Sequence, residues 1–184
     1  MKEHLEERRL DPGKYKGLQL NKDSAVFLLW NLSGQLVGYQ QYSPNAPKSN
    51  PSNRNARHPS EKKYYTYLGK QGGEVKKSTA HLAAFGVDLL DKSKKVVFLA
   101  EGVFDVCPLH NRGVNALATL CNDPKHLGSW LLSQNYTLVA LAEGDKAGKK
   151  LAKFAHYVEW LPEGKDPGDM PDEWFDKLVE KYEC

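Results

Sequence analysis

VVFLAEG, at residues 96–102, sets five apolar residues directly before an acid and a glycine. A continuous apolar run of this length is typical of a strand buried on both faces of a parallel sheet. The pattern returns at residues 137–145, where TLVALA is followed by EGD. Each run therefore predicts a buried strand that ends at a carboxylate.

Strand and helix patterns alternate outward from these two runs, beginning near residue 94. We expect strands at 96–100, 114–120, 137–142 and 157–161, and helices at 104–111, 124–134, 146–155 and 171–182. Asp123 is the expected N-cap of the second of these helices. Strict alternation of this kind predicts an α/β domain over residues 94–184, with a largely parallel sheet.

The first half of the chain, residues 1–93, predicts a small mixed α+β subdomain. A short helix to Leu10 is expected first, followed by a hairpin of two strands, at 25–30 and 36–40, around the turn NLSG. A further strand is expected at 64–68, because aromatic and β-branched residues dominate it, and a short helix at 78–85, ended by Gly86.

This first half also carries a basic block between Lys48 and Lys77. Eight basic residues stand there against two acidic ones, Glu61 and Glu74, although the whole chain has a net charge of only +3. A basic block beside an acidic site is typical of an enzyme that binds nucleic acid. A solvated loop whose lysines only keep the protein soluble is the open alternative.

Carboxylates follow the ends of the two apolar strands. Glu101 comes directly after residues 96–100, and Glu143 and Asp145 come after residues 137–142. If these strands are neighbours, the three carboxylates should converge within a few ångströms at the carboxyl edge of the sheet. Oxygen ligands without histidine or cysteine favour Mg²⁺ or Mn²⁺. A simple helix cap is the alternative for Asp145, and Asp105 is expected to be a structural residue at a helix start.

Composition excludes several other classes of protein. The three cysteines among the 184 residues form no CxxC pair, so neither a zinc ribbon nor a disulfide framework is indicated. No apolar run reaches the roughly 18 residues of a membrane span. The charged start is unlike a secretory signal, and we expect a cytoplasmic protein.

Four motifs in order resemble the TOPRIM domain of primases, topoisomerases and some nucleases. LAEGVFDV (99–106) looks like the first TOPRIM motif in the form found in bacterial primases. NALATL (115–120) looks like the strand that follows that motif. AEGDKAGKK (142–150) resembles its Asp-x-Asp motif, and LPEGKDPGD (161–169) its late acidic loop. Upstream, residues 26–39 and the KKYY step at 62–65 are similar to the region that precedes this domain in primases.

The resemblance implies the RNA polymerase core of bacterial and phage DnaG-type primases. The implied fold is α/β: a Rossmann-like TOPRIM domain with a mainly parallel four-stranded sheet and flanking helices, preceded by the small N-terminal subdomain. The implied activity is DNA-directed synthesis of short RNA primers on single-stranded DNA from nucleoside triphosphates, with Mg²⁺ or Mn²⁺. A replicative helicase or another replication protein is an expected partner, and no membrane is expected.

The resemblance also implies roles for individual residues. Glu101 would be the acid/base near the reacting 3′-hydroxyl, and Asp145 the second catalytic residue. Metal ligands would be Glu101, Glu143, Asp145, Asp166 and Asp169. The residues expected to bind nucleic acid are Arg54, Arg57, Lys62, Lys63, Tyr64, Lys70, Lys76, Lys77 and Lys146.

Three departures from the family pattern keep other functions open. Glu143 stands where the family has aspartate, one methylene shorter, and the sequence has no cysteine-rich zinc module and no helicase region. A minimal enzyme, for example from a phage, or a fragment of a larger protein would account for this. A TOPRIM nuclease and a catalytically degenerate nucleic-acid-binding module are the alternatives.

Overall fold

The computed structural model describes residues 1–49, 52, 58–68, 83–121 and 124–183. Within these residues, eight strands form two four-stranded sheets, and α-helices flank the second sheet. The α/β prediction is confirmed. The sections of the basic block at residues 50–51, 53–57 and 69–77 lie outside the described residues.

The first sheet is antiparallel, with strand order β1-β2-β3-β4. Its strands are β1 (Gln19–Leu20), β2 (Ala25–Trp30), β3 (Leu36–Tyr42) and β4 (Tyr64–Leu68). The predicted hairpin is confirmed as the β2–β3 pair. The Asn31 side chain shapes its turn, since Oδ1 accepts hydrogen bonds from the backbone N–H groups of Ser33 at 3.0 Å and Gln35 at 2.9 Å.

The second sheet is parallel throughout, with strand order β6-β5-β7-β8. Its strands are β5 (Val96–Ala100), β6 (Ala116–Ala118), β7 (Thr137–Ala142) and β8 (Tyr157–Trp160). The two apolar runs are the central strands β5 and β7, and they pair directly. Their carboxyl ends therefore lie side by side at one edge of the sheet.

The five described α-helices are α1 (Lys2–Glu7), α2 (Val103–Asn111), α3 (Lys125–Ser133), α4 (Lys146–Ala152) and α5 (Asp172–Glu183). The N-cap position of α3 is Pro124 rather than the predicted Asp123, which lies outside the described residues. Strand β6 is shorter than predicted at both ends, and Leu120, at the predicted end of the strand, has φ +59°.

The predicted helix at 78–85 is wrong at its described end, and residues 78–82 lie outside the described part. Ala84 forms an antiparallel bridge with Trp30, and Phe85 forms one with Ala118. Their backbone N–H groups bond to Trp30 O at 3.0 Å and Ala118 O at 3.0 Å. This short extended segment joins the two sheets, because neighbouring residues pair with different sheets.

A shared core lies between the two sheets. Phe27 and Tyr42, from the antiparallel sheet, pack against Phe104 of α2 with ring centroids 6.1 and 4.9 Å apart. Leu5 and Leu10 of the N-terminal segment are fully buried in the same cluster. The division of the chain between residues 93 and 94 stays a prediction. Among the described helices, none combines the length and apolar character needed to cross a membrane.

Candidate functional site

The predicted carboxylates gather at the carboxyl edge of the parallel sheet. Glu101 directly follows β5 and Glu143 directly follows β7, and these strands pair in register from Val96↔Thr137 to Leu99↔Ala140. Asp166 and Asp169 lie at a 3₁₀ turn (Pro167–Asp169) that packs against α2. The backbone thus brings three separate acidic segments to one edge.

The negative charges of these acids raise one another's pKa values. Partial burial raises the pKa of Glu101, and the negative charges of Glu143 and Asp145 raise it further. Burial also raises the pKa of Glu143, with contributions from Asp166, Asp145 and Asp169. The carboxylates therefore repel one another, and a cation among them would relieve that repulsion.

The expected convergence within a few ångströms is not reached. Within the described residues, no three His, Cys, Asp or Glu side chains lie close enough together to hold a metal ion. Asp145 Oδ1 is instead engaged as the N-cap of α4, accepting from Gly148 N at 2.8 Å. The donor chemistry still fits Mg²⁺ or Mn²⁺, because every candidate ligand is a carboxylate oxygen.

Gly148 shapes the loop that carries Glu143 and Asp145. A Cβ atom on Gly148 would lie 2.0 Å from the backbone oxygen of Glu143 and 2.7 Å from its nitrogen. Only glycine lets the first turn of α4 pack this closely on the end of β7. The position of Glu143 therefore depends on a residue five places later.

Asp105 connects two of the acidic segments. Its Oδ2 accepts from Gly102 N at 2.8 Å, and its Oδ1 accepts from Gly168 N at 3.3 Å. Burial raises the pKa of Asp105 to about 7, against the lowering effect of the Gly102 N–H bond. Its structural role was predicted from its place at a helix start. The bond to Gly168, 63 residues away, has no local sequence signal.

A pocket of about 620 Å³ lies between the two sheets and opens onto these acids. Four carboxylates are among its lining residues: Glu101, Asp105, Glu143 and Asp166. The basic side chains of His4, Arg8, Lys48 and Lys63 and the aromatic rings of Tyr42, Tyr64 and Phe104 line it as well. This volume is within the usual range for small-molecule sites.

His4 and Arg8 are pocket residues that the sequence patterns missed. Arg8 donates from Nη1 to the hydroxyl groups of Tyr64 at 3.1 Å and Tyr42 at 3.4 Å, and its guanidinium lies 3.8 Å over the Phe104 ring. Arg9, its neighbour, instead donates to Met170 O at 2.7 Å. No local pattern in residues 1–10 separates these two arginines, since only the docking of α1 distinguishes them.

The residues predicted to bind nucleic acid are only partly described. Lys63 and Tyr64 line the pocket, Lys62 is half-buried, and Lys146 is exposed at the start of α4. The Tyr64 ring packs on Tyr42 with centroids 5.2 Å apart. Arg54, Arg57, Lys70, Lys76 and Lys77 lie outside the described residues. Nucleic-acid binding by all of these residues stays a prediction.

Comparison with known proteins finds similarity in structure alone. The sequence matches no protein-family model and no curated protein. The zinc-binding and RNA polymerase domains of the Aquifex aeolicus primase superpose with a TM-score of 0.62 at 19% identity, over 97% of this chain and 55% of that one.

Two further primase structures give similar TM-scores, identities and coverages. The RNA polymerase domain of the Mycobacterium tuberculosis primase DnaG, in complex with double-stranded DNA, has a TM-score of 0.58 at 20% identity, over 98% of this chain and 60% of that one. The primase fragment of the bacteriophage T7 primase-helicase has a TM-score of 0.57 at 14% identity, over 88% and 63%. The chain spans less than two thirds of the length of these three structures, and it has the fold of the catalytic core of DnaG-type primases.

Proposed function

We propose that this protein is a primase-type nucleotidyltransferase that makes short RNA primers on single-stranded DNA. The observation that supports it most is the pocket between the two sheets, which is lined both by carboxylates at the ends of β5 and β7 and by cationic side chains. A nucleoside triphosphate combines anionic phosphates with a need for divalent metal, and it fits this combination of charges. The primase-core fold supports the same activity.

Glu101, Glu143 and Asp145 would hold Mg²⁺ or Mn²⁺ in this function, with Asp166 and Asp169 holding a second ion or its water. Bound there, divalent ions stabilise the attacking and leaving oxygens of an in-line phosphoryl transfer. Glu101 would accept the proton of the reacting 3′-hydroxyl, and its raised pKa is consistent with a general base. Asp105 would hold the Glu101-Gly102 segment next to the Asp166–Asp169 segment, because its carboxylate accepts a backbone hydrogen bond from each.

The N-terminal subdomain, residues 1–93, would bind the template strand, and the TOPRIM domain, residues 94–184, would carry the chemistry. The predicted nucleic-acid residues fit a role along the phosphate backbone, because lysine and arginine neutralise phosphates without reading sequence. Such an enzyme would act in the cytoplasm of a bacterial or phage-infected cell, beside a helicase or another replication protein.

A non-catalytic nucleic-acid-binding module is the second candidate. It is favoured by the spread of the acids, since no three metal-binding side chains converge within the described residues. Glu143 in place of aspartate supports it as well, because Mg²⁺ demands near-ideal octahedral geometry.

The deciding experiment combines the protein with single-stranded DNA, labelled nucleoside triphosphates and Mg²⁺ or Mn²⁺, and resolves the products on a gel. Glu101→Gln and Asp145→Asn variants run alongside. New labelled oligonucleotides that both variants abolish would establish primer synthesis. A shortened template strand would instead indicate the TOPRIM nuclease. Salt-dependent DNA binding without any product would favour the binding module.

A further inference from the structure

His4 reaches the pocket from α1, a segment outside both sheets. Its Nε2 lies 2.9 Å from the Tyr42 hydroxyl, and the two rings are within 14° of parallel. Leu5, the next residue, is fully buried in the shared core and holds the helix in place. His4 is therefore a fixed part of the pocket wall rather than a free surface side chain.

The protonation pattern at Tyr42 follows from its partners. Arg8 Nη1 donates to the Tyr42 oxygen at 3.4 Å, and a guanidinium can only donate. With a lone pair of the Tyr42 oxygen accepting from Arg8, the Tyr42 hydroxyl proton can be donated to His4 Nε2. A neutral imidazole that accepts at Nε2 carries its proton on Nδ1. The network therefore prepares His4 as a donor through Nδ1–H.

The charge around His4 indicates what this donor would meet. Arg8, Lys48 and Lys63 line the pocket with it, as do four carboxylates. An anionic oxygen is the acceptor that these cationic side chains would attract. We propose that His4 donates its Nδ1–H to a phosphate oxygen of the substrate held in the pocket.

This assignment rests on the proposed function, because it takes the pocket to be the site of a phosphate-bearing substrate. The phosphate could belong to the nucleoside triphosphate or to the template strand. A purely structural role, in which His4 only holds Tyr42, is the competing explanation. Phosphate binding depends on Nδ1 in the proposal and on the Nε2 bond to Tyr42 in the structural alternative, so different substitutions separate them.

Asparagine places its amide N–H₂ where Nδ1 lies and cannot reach the position of Nε2, whereas glutamine reaches the position of Nε2 and leaves that of Nδ1 empty. We expect His4→Gln to weaken phosphate binding about tenfold, the range for a hydrogen bond to a charged group. His4→Asn should bind within about twofold of the unchanged protein. Lys2→Met is the control, since Lys2 is on the same helix with its side chain 69% exposed.

The measurement is equilibrium binding to the full chain, with fluorescent ATP in one arm and a fluorescent oligothymidylate in the other. Thermal unfolding of each variant checks that α1 stays docked. The arm in which His4→Gln loses affinity identifies the source of the phosphate. A loss with His4→Asn but not with His4→Gln would overturn the proposal in favour of the structural role.

Two other outcomes also overturn it: unchanged binding by both variants, and no binding of either probe by the unchanged protein. The gel assay for primer synthesis keeps the two proposals distinguishable. If the unchanged protein and both His4 variants make primers equally, His4 has no role in the reaction and the proposed function still stands. If His4→Gln loses affinity for the probe but the unchanged protein makes no primers, the role of His4 stands and the proposed function fails.

Discussion

Asp145 caps α4 with the same carboxylate that would bind a metal ion. Its Oδ1 accepts from Gly148 N at 2.8 Å, which leaves Oδ2 for a ligand. Asparagine is as good an N-cap as aspartate but carries no charge, whereas alanine provides neither function. The two functions can therefore be separated by substitution at this one residue.

We predict that Asp145→Asn changes the free energy of unfolding by less than about 0.5 kcal/mol, while Asp145→Ala lowers it by about 1 kcal/mol. Both variants should lose primer synthesis, since both lose the negative charge. Urea unfolding followed by circular dichroism measures the first effect, and the gel assay the second. Equal destabilisation by asparagine and alanine would show that the cap depends on charge rather than on the hydrogen bond.

At the scale of elements, the contact between α4 and the end of β7 sets the geometry of the acidic loop. The helix begins immediately after Asp145, and its first turn lies against the backbone of Glu143. Alanine is a better helix former than glycine by about 1 kcal/mol, so propensity alone would favour substitution at Gly148. The clash with backbone atoms opposes it and cannot be relieved by a side-chain rotation.

We predict that Gly148→Ala is destabilising by about 1–3 kcal/mol, the usual cost of overpacking, and lowers primer synthesis because Glu143 and Asp145 move. Gly144→Ala is the matched control in the same loop, since a Cβ atom there meets nothing within 4 Å. Urea unfolding and the gel assay report on both variants. A Gly148→Ala protein as stable and active as the control would contradict the close packing.

Across the whole molecule, a buried polar network ties the N-terminal segment to α2 and β6. His110 lies 3.0 Å from the Tyr15 hydroxyl through Nδ1 and 2.9 Å from Ala116 O through Nε2. Burial lowers the pKa of His110 from 6.5 to about 4. The unfolded chain then binds a proton between these values that the folded protein does not, so stability is full above the unfolded pKa and falls as pH decreases.

We predict that this residue alone costs about 2 kcal/mol of stability between pH 7 and pH 5. The measurement compares the free energies of unfolding of the unchanged protein and His110→Gln at both pH values. The other titratable groups contribute equally in both proteins, so the difference between the two changes in unfolding free energy isolates His110. An identical decrease in both would show that His110 does not titrate over this interval.

The shared core also predicts how the molecule unfolds. Phe27, Tyr42 and Phe104 belong to one buried cluster, although they come from opposite sides of the division at residues 93 and 94. We expect a single cooperative transition, with coincident curves from tryptophan fluorescence and far-ultraviolet circular dichroism. Two separate steps would show that the predicted domains are stable independently.

The sequence by itself determined the central strands, their carboxylates and the hairpin, because each depends on periodicity or on a few adjacent residues. β7 (Thr137–Ala142) was predicted to the residue, and β5 and β7 are neighbours as the placement of Glu101 and Glu143 requires. The extended segment at Ala84 and Phe85 was predicted wrongly as helix, since its conformation comes from pairing with two distant strands.

The tertiary structure alone decided which residues share the pocket. His4 and Arg8 share the pocket with Glu101 only because the N-terminal segment packs against the antiparallel sheet and α2. Asp105 bonds to Gly168 only because the 3₁₀ turn packs on α2. It also decided that the acids are near one another without converging on an ion site within the described residues. Local patterns do not record contacts between distant segments, because those contacts depend on the complete packed arrangement.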